Sequence, residues 1–209
     1  MERIICLTVG YMFGLFQTGY LVGKCRHIDI RKQGSGNAGT TNALRVLGWK
    51  AGAVTFIGDV LKCVLAVLLM RYVYRESDYA PLLGMYAGLG ATLGHNFPFY
   101  LKFKGGKGIA VLAGLIVSTS FWMVPIPLAT FAVAVLLTRY VSLGSLLAST
   151  TFFLEMILFG ELGGFHLAWN YRPELYGITF LLMLLAWIRH KDNIKRLLAG
   201  QENRFGTKK

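Results

Sequence analysis

The sequence predicts an all-α integral membrane protein with seven transmembrane helices, two of them short and separated by prolines. Three observations lead there. The 209 residues are 55% hydrophobic and only 15% charged, against about 25% charged for an average soluble domain, and mean hydropathy is +0.52. Residues 4–23, 79–101 and 108–138 contain no Asp, Glu, Lys or Arg, and uncharged apolar runs of about 18 residues or more read as membrane spans. The remaining charges are sided along the chain. The same composition excludes a disordered chain and a disulfide scaffold: Cys6, Cys25 and Cys63 are odd in number and none lies in a C-x-x-C spacing. It also argues against a water-soluble enzyme. The net charge of +12 reads as an orientation signal, not a nucleic-acid patch.

The first element is one span over 4–23. A cleavable signal peptide is the weaker reading there, since Met1-Glu2-Arg3 is barely basic and no A-x-A site follows. The second span, 51–70, carries Asp59 and Lys62 one turn apart, as well suited to a structural ion pair as to chemistry. The third is 79–101. The 108–138 stretch is too long for one straight helix, and Pro125 and Pro127 break it beside Phe121 and Trp122, an aromatic pair that suits a membrane interface. It therefore divides into spans 108–121 and 125–138, each about 21 Å long. Span 142–160 carries Glu155, and span 175–188 starts after Pro173 and Glu174. With no internal repeat or linker, residues 1–209 read as one membrane-embedded catalytic domain.

Seven crossings put segments 24–50, 101–107, 139–141 and 189–209 on one face. They hold 17 of the 22 basic residues, with Asp29, Asp192 and Glu202 as their only acids. The positive-inside rule makes that face cytoplasmic, so the N-terminus lies outside and the C-terminus in the cytoplasm.

The polar residues gather on the same face. The first loop reads Gly34-Ser35-Gly36-Asn37-Ala38-Gly39-Thr40-Thr41-Asn42-Ala43-Leu44-Arg45. Its G-x-G-x-x-G match is no dinucleotide fingerprint, because Asp29-Ile30-Arg31-Lys32-Gln33 is not a buried strand and the acid some 20 residues on, Asp59, lies in a span. What remains is a tight turn whose N–H groups and Ser, Thr and Asn donors can face an anion near a helix start. A plain turn between helices is the simpler alternative. The second loop contains Gly94-His95-Asn96 and then Lys104-Gly105-Gly106-Lys107-Gly108. This is not a Walker A loop, and charge anchoring explains Lys102 better than it explains three glycines. The third segment contains Arg139-Tyr140-Val141-Ser142-Leu143, and the last runs Arg189-His190-Lys191-Asp192-Asn193. Lys191 and Lys195 read as interfacial anchors, while His190 and Asn193 share a polar face. Cations, hydroxyls and glycine turns at a membrane surface suit phosphate-bearing substrates, one of them a lipid. The four aspartates show no metal-binding spacing, which disfavours a magnesium phosphotransferase. The H-x-x-x-x-D acyltransferase motif is absent.

Together these four motifs make the sequence resemble the bacterial acyl-phosphate:glycerol-3-phosphate acyltransferases, the PlsY family, over nearly the whole chain. The resemblance implies a seven-span inner-membrane enzyme with a cytoplasmic active site. It would move a fatty acyl group from acyl phosphate to glycerol 3-phosphate, giving 1-acyl-glycerol 3-phosphate and phosphate. It implies no cofactor, no metal and no nucleic-acid partner, only the two substrates and the bilayer. Carried over residue by residue, the catalytic set would be Arg45, Lys104, Ser142, His190 and Asn193. Ser35, Gly36, Asn37, Thr41 and Asn42 would form the first-loop side of the phosphate site. Gly105, Gly106, Lys107 and Gly108 would cradle glycerol 3-phosphate through backbone N–H groups. Two departures lie in spans: Gly14-Leu15-Phe16-Gln17 stands where the family has Gly-Ser-x-Pro, and Cys63 replaces a glycine after Lys62. Neither histidine has an obvious carboxylate partner in sequence, so a substrate phosphate is the expected general base, with His95 or His190 as rivals. An anion or phosphate-metabolite transporter, its path lined by Asp59, Lys62 and Glu155, is the alternative from another class.

Overall fold

The computed structural model describes residues 1–206, so Lys208 and Lys209 of the basic C-terminal segment lie outside the described residues. Among the described residues there are ten α-helices and no strand. In chain order they are α1 (Glu2–Gly14), α2 (Thr18–Lys24), α3 (Thr40–Leu47), α4 (Trp49–Val73), α5 (Ala80–Asn96), α6 (Ile109–Thr119), α7 (Pro125–Thr138), α8 (Val141–Glu161), α9 (Arg172–Arg189) and α10 (Lys191–Leu198). Four stretches are long and apolar enough to cross a membrane: Glu2–Lys24, Trp49–Val73, Phe121–Thr138 and Val141–Glu161. Helices also stand on the other three expected spans, as α5, α6 and α9. The expected break at the prolines is present: a 3-10 turn at Phe121–Met123 separates α6 from α7, whose first turn contains the prolines. The chain divides into two compact units, Met1–Thr119 and Ser120–Lys209.

The first unit holds α1 to α6. Helix α4 shows the inside-out patterning of a helix in lipid. Its buried side carries Thr55, Asp59, Lys62, Cys63 and Ala66, while Phe56, Ile57, Leu61, Leu65 and Leu68 are exposed. Apolar side chains gain nothing by avoiding hydrocarbon, so polar ones take the interior. Helices α1 and α5 meet backbone to backbone. A Cβ on Gly10 or Gly14 would strike the carbonyl oxygens of Ala87 or Ala91, and one on Gly90 or Gly94 those of Leu7 or Tyr11. Each helix thus presents a G-x-x-x-G face to the other, the close packing that small residues allow without a hydrophobic driving force.

The first span is not one helix. It breaks at Leu15–Gln17, where Gln17 leaves helical geometry with φ −94 and ψ 84. The buried Gln17 Nε2 donates to the carbonyls of Gly14 (3.1 Å), Gly94 (3.3 Å) and His95 (3.1 Å). The glutamine that stands in place of a proline therefore serves the Gly14 carbonyl at the break and the Gly94 and His95 carbonyls at the end of α5, tying α1 to α5.

The second unit holds α7 to α10. Gly144 of α8 lies against Phe131 and Val135 of α7, and Gly160 against the Tyr176 ring of α9. Tyr176 donates to Glu161 (2.8 Å). The amphipathic α10 packs on α8 and α9.

Candidate active site

The first loop builds itself largely from its own polar groups. Ile30, Ala38, Ala43, Leu47 and Ala51 form a small buried core beneath it. The buried Asn42 sits at its centre. Its Nδ2 reaches the carbonyls of Ile30 (2.9 Å), Gln33 (3.0 Å) and Asn37 (2.9 Å), and its Oδ1 accepts from the Ser35 N–H (2.8 Å). Asn37 Oδ1 accepts from the Gly39 N–H (2.9 Å). Gly34 and Gly36 have φ of +60 and +71, which glycine adopts without strain, and a Cβ on Gly34 would collide with Asn42 Oδ1. Asn42 and the Ser35, Gly36 and Gly39 N–H groups, expected to face an anion, are bonded within the loop. The loop must satisfy its own buried backbone before anything else, and Asn42 is spent on that. Ser35, Gly36 and Arg45 are exposed, and Thr41 partly so. Thr40, a loop hydroxyl outside the expected site set, has a buried Oγ with no partner among the described residues.

At the loop's entry Asp29 accepts from the Arg31 guanidinium through both oxygens (2.9 Å each) and from the Arg31 N–H (3.1 Å). Those bonds hold the Asp29 carboxyl below its ordinary range. Arg31 also lies over the Tyr20 ring, 4.8 Å from its centroid.

The second loop departs from expectation in a similar way. Helix α5 ends at Asn96 and needs donors for its last carbonyls. The Gly105 N–H donates to Asn96 O (3.3 Å) and the Gly106 N–H to His95 O (3.1 Å). Two of the four N–H groups expected to cradle phosphate, those of Gly105 and Gly106, thus also cap α5. Gly105 and Gly106 are buried because other atoms occupy their side-chain space: a Cβ on Gly105 would fall on His95 O, and one on Gly106 on His95 Nε2. Of the three glycines in this stretch, Gly108 alone has the left-handed backbone, φ +84. Lys104 is exposed and Lys107 half-buried.

Behind it lies a buried polar cluster only partly visible in sequence. Lys62 Nζ is 2.7 Å from Asp59 Oδ1, the expected ion pair. It is also 2.7 Å from Phe16 O and 2.8 Å from His95 Nδ1. Thr18 Oγ donates to Asp59 Oδ1 (3.1 Å). His95 therefore does have a carboxylate near it, with Asp59 Oδ1 at 3.7 Å. The expectation that neither histidine has such a partner fails here, because α4 brings the partner from 36 positions away in the numbering. Asp59 and Lys62, which a transport path would need, are consumed by this cluster.

In the second unit, Ser142 lies in the first turn of α8, buried, and its Oγ has no partner among the described residues. Just before it, Arg139 takes a left-handed conformation (φ +62), and its carbonyl accepts from the Phe205 N–H (2.7 Å). His190, between α9 and α10, is buried, with Nδ1 2.7 Å from Ala186 O. A carbonyl only accepts, so that nitrogen carries the hydrogen and a neutral ring keeps its lone pair at Nε2. Asn193 Nδ2 donates to Glu202 Oε1 (2.7 Å), and Arg196 Nε to Glu202 Oε2 (2.8 Å). Glu202, which the sequence reading counted only as a tail acid, thus holds the chain after α10 against it. Among the described residues, no group of three or more His, Cys, Asp or Glu side chains could hold a metal ion.

Membrane-length helices with hydroxyls and cations on their connecting loops define the class: an α-helical membrane-type protein. Comparison with known proteins narrows it. The sequence model of the glycerol-3-phosphate acyltransferases matches residues 4–200. A glycerol-3-phosphate acyltransferase of Thermoanaerobacter sp. (strain X514) is 42% identical over 209 residues, covering 100% of this chain and 98% of the relative. One of Clostridioides difficile (strain 630) is 41% identical over 212 residues, covering 99% and 97%. Among solved structures, PlsY, an integral membrane glycerol 3-phosphate acyltransferase in its glycerol 3-phosphate form, superposes with a TM-score of 0.85 at 30% identity, covering 99% of this chain and 97% of that one. The chain belongs to the glycerol-3-phosphate acyltransferase family.

Proposed function

We propose that this family member uses acyl phosphate as its donor and transfers the acyl group to the 1-hydroxyl of glycerol 3-phosphate, releasing lysophosphatidic acid and phosphate. It crosses the bacterial cytoplasmic membrane seven times, N-terminus outside, and residues 1–209 act as one catalytic domain on the cytoplasmic face. Membership of the family over almost the full length carries this reading. Three further features support it: Arg45 on α3 and Lys104 on the second loop are exposed cations, the Ser142 hydroxyl is unspent, and His190 keeps a lone pair at Nε2 when neutral.

Both substrates are anions, so the site must hold two phosphates close together. We assign phosphate binding to Arg45, Lys104 and Ser142, helped by Ser35, Thr41 and Lys107, and orientation of the glycerol end to His190 and Asn193. The 1-hydroxyl oxygen attacks the acyl carbonyl carbon, an ester bond forms, and the carbon–oxygen bond to phosphate breaks. A substrate phosphate takes the hydroxyl proton. Cations stabilise the charge that grows on the leaving phosphate, which departs without a strong acid.

The test offers the purified protein palmitoyl phosphate and palmitoyl-CoA separately, each with glycerol 3-phosphate. Product from the phosphate is expected. Product from the thioester alone would overturn the donor assignment.

A further inference from the structure

We propose that His95 is a positioning residue for the glycine loop 104–108, held as the Nε2–H tautomer by the buried Thr18–Asp59–Lys62 cluster. Thr18, Asp59, Lys62 and His95 are 7%, 1%, 5% and 3% exposed. An ammonium has three N–H bonds, and Lys62 Nζ has three acceptors: Phe16 O at 2.7 Å, Asp59 Oδ1 at 2.7 Å and His95 Nδ1 at 2.8 Å. A cationic imidazole donating to a neutral amine would also satisfy the count. The lysine amine is the stronger base by about four pKa units in water, and it is the amine that touches the Asp59 carboxylate. Lys62 therefore donates, Nδ1 accepts, and the single ring proton of His95 sits on Nε2.

That tautomer removes His95 from the contest for general base. Nε2 already holds a proton, and protonating Nδ1 would set it against the Lys62 ammonium. It also explains what the ring does. Nε2 occupies the space where Gly106 would carry a side chain, while the His95 carbonyl accepts the Gly106 N–H at 3.1 Å. One residue thus grips the loop by ring edge and by backbone. Its ring angle is set from α4, on the side away from the loop. Two positions before Gly106 stands Lys104, the cation assigned above to phosphate. The kinetic consequence rests on that assignment; the tautomer and the grip do not.

Protein carrying ¹⁵N-histidine, in detergent or nanodiscs, reads the tautomer directly, with the His95 signals identified by their absence from His95→Asn. Nε2 is expected protonated and Nδ1 bare across pH 6–9. A cationic ring or an Nδ1–H tautomer would overturn the proposal. His95→Asn keeps an acceptor oxygen for Lys62 but removes the ring edge, so Lys62 need not be left unpaired. Backbone amides 103–108 should then exchange with solvent at least about tenfold faster, while α1 and α4 exchange as before. Unchanged exchange in the loop, or faster exchange throughout the unit, would overturn the grip. In active enzyme the KM for glycerol 3-phosphate should rise at least about tenfold, with kcat and the KM for acyl phosphate much less affected. A loosened loop with an unaltered KM for glycerol 3-phosphate would leave the grip standing and refute the loop's assigned substrate. Lys62→Met is the second variant: freeing Nδ1 should let the other tautomer appear in the spectrum. A spectrum identical to wild type would mean that Lys62 does not set the ring.

Discussion

Replacing Asn42 tests how the first loop is made. Its side chain is 2% exposed, and its two Nδ2 hydrogens serve three carbonyls while Oδ1 accepts the Ser35 N–H. At about 1 kcal/mol net for each hydrogen bond, Asn42→Ala removes about 3 kcal/mol of local order, a factor of roughly 150 against the ordered loop. Asn42→Asp is nearly isosteric, yet it should be worse. It keeps the acceptor for Ser35 but turns a carboxylate oxygen toward three carbonyls, and an uncompensated buried charge costs about 3–5 kcal/mol. Facing carbonyls, the new carboxyl would have a folded-state pKa above the usual value of about 3.9. The damage should therefore ease as pH falls and grow as pH rises through that raised pKa. Limited proteolysis across 33–42 and acyl-transfer rates measure the two consequences, with helix content as the control for global folding. If Asn42→Asp resists protease and turns over like wild type, the loop is not organised by this side chain.

Arg45→Ala or Lys104→Ala should lower kcat/KM at least about a hundredfold, the scale of one charge-assisted contact worth about 3 kcal/mol; Lys102→Ala, on an exposed αL residue, should be mild, and equal loss from all three would reduce the effect to net charge. Gly106→Ala must displace the His95 ring, so the loop should loosen and KM for glycerol 3-phosphate should rise more than KM for acyl phosphate; equal rises would mean general collapse. Asp29, its pKa lowered by Arg31, contributes stability that is present above its usual pKa of about 3.9 and lost as pH falls through the lowered value. The pair is partly exposed, so Asp29→Asn should shift melting by no more than the equivalent of about 1 kcal/mol at pH 6, with the gap closing toward pH 3. His190→Ala should cut kcat through lost positioning yet leave the acidic limb of the pH–rate profile in the residual activity; disappearance of that limb would make His190 the base.

The apolar helices were the most legible feature, four of them long and apolar enough to cross a membrane, because an uncharged apolar run has few other uses. The proline break between α6 and α7 was equally plain, since Pro125 and Pro127 cannot lie mid-helix without disruption. The break at Gln17 was hard to read: this chain has no proline there, and two of the three carbonyls that Gln17 reaches lie on α5, 77 and 78 residues on. Lys62 and Asp59 could be paired from an i, i+3 spacing, but His95 joins them only because α4 and α5 pack together. Glu202 escaped for a related reason, since its partners Asn193 and Arg196 are claimed only once the chain turns back after α10.

The glycine loops carry the sharper lesson. A run of glycines and small polar residues beside a helix end is chemically suited to an anion, but the chain's own orphan carbonyls compete for the same donors. In the second loop the Asn96 and His95 carbonyls at the end of α5 take the Gly105 and Gly106 N–H groups. In the first loop Asn42 settles a similar competition from within, supplying donors to three carbonyls and leaving Ser35, Gly36 and Arg45 outward. In both loops glycine thus serves closure first: the left-handed φ of Gly34, Gly36 and Gly108 and the bare Cα of Gly105 and Gly106 let the backbone fold tightly at a helix end, while Arg45 and Lys104 stay exposed.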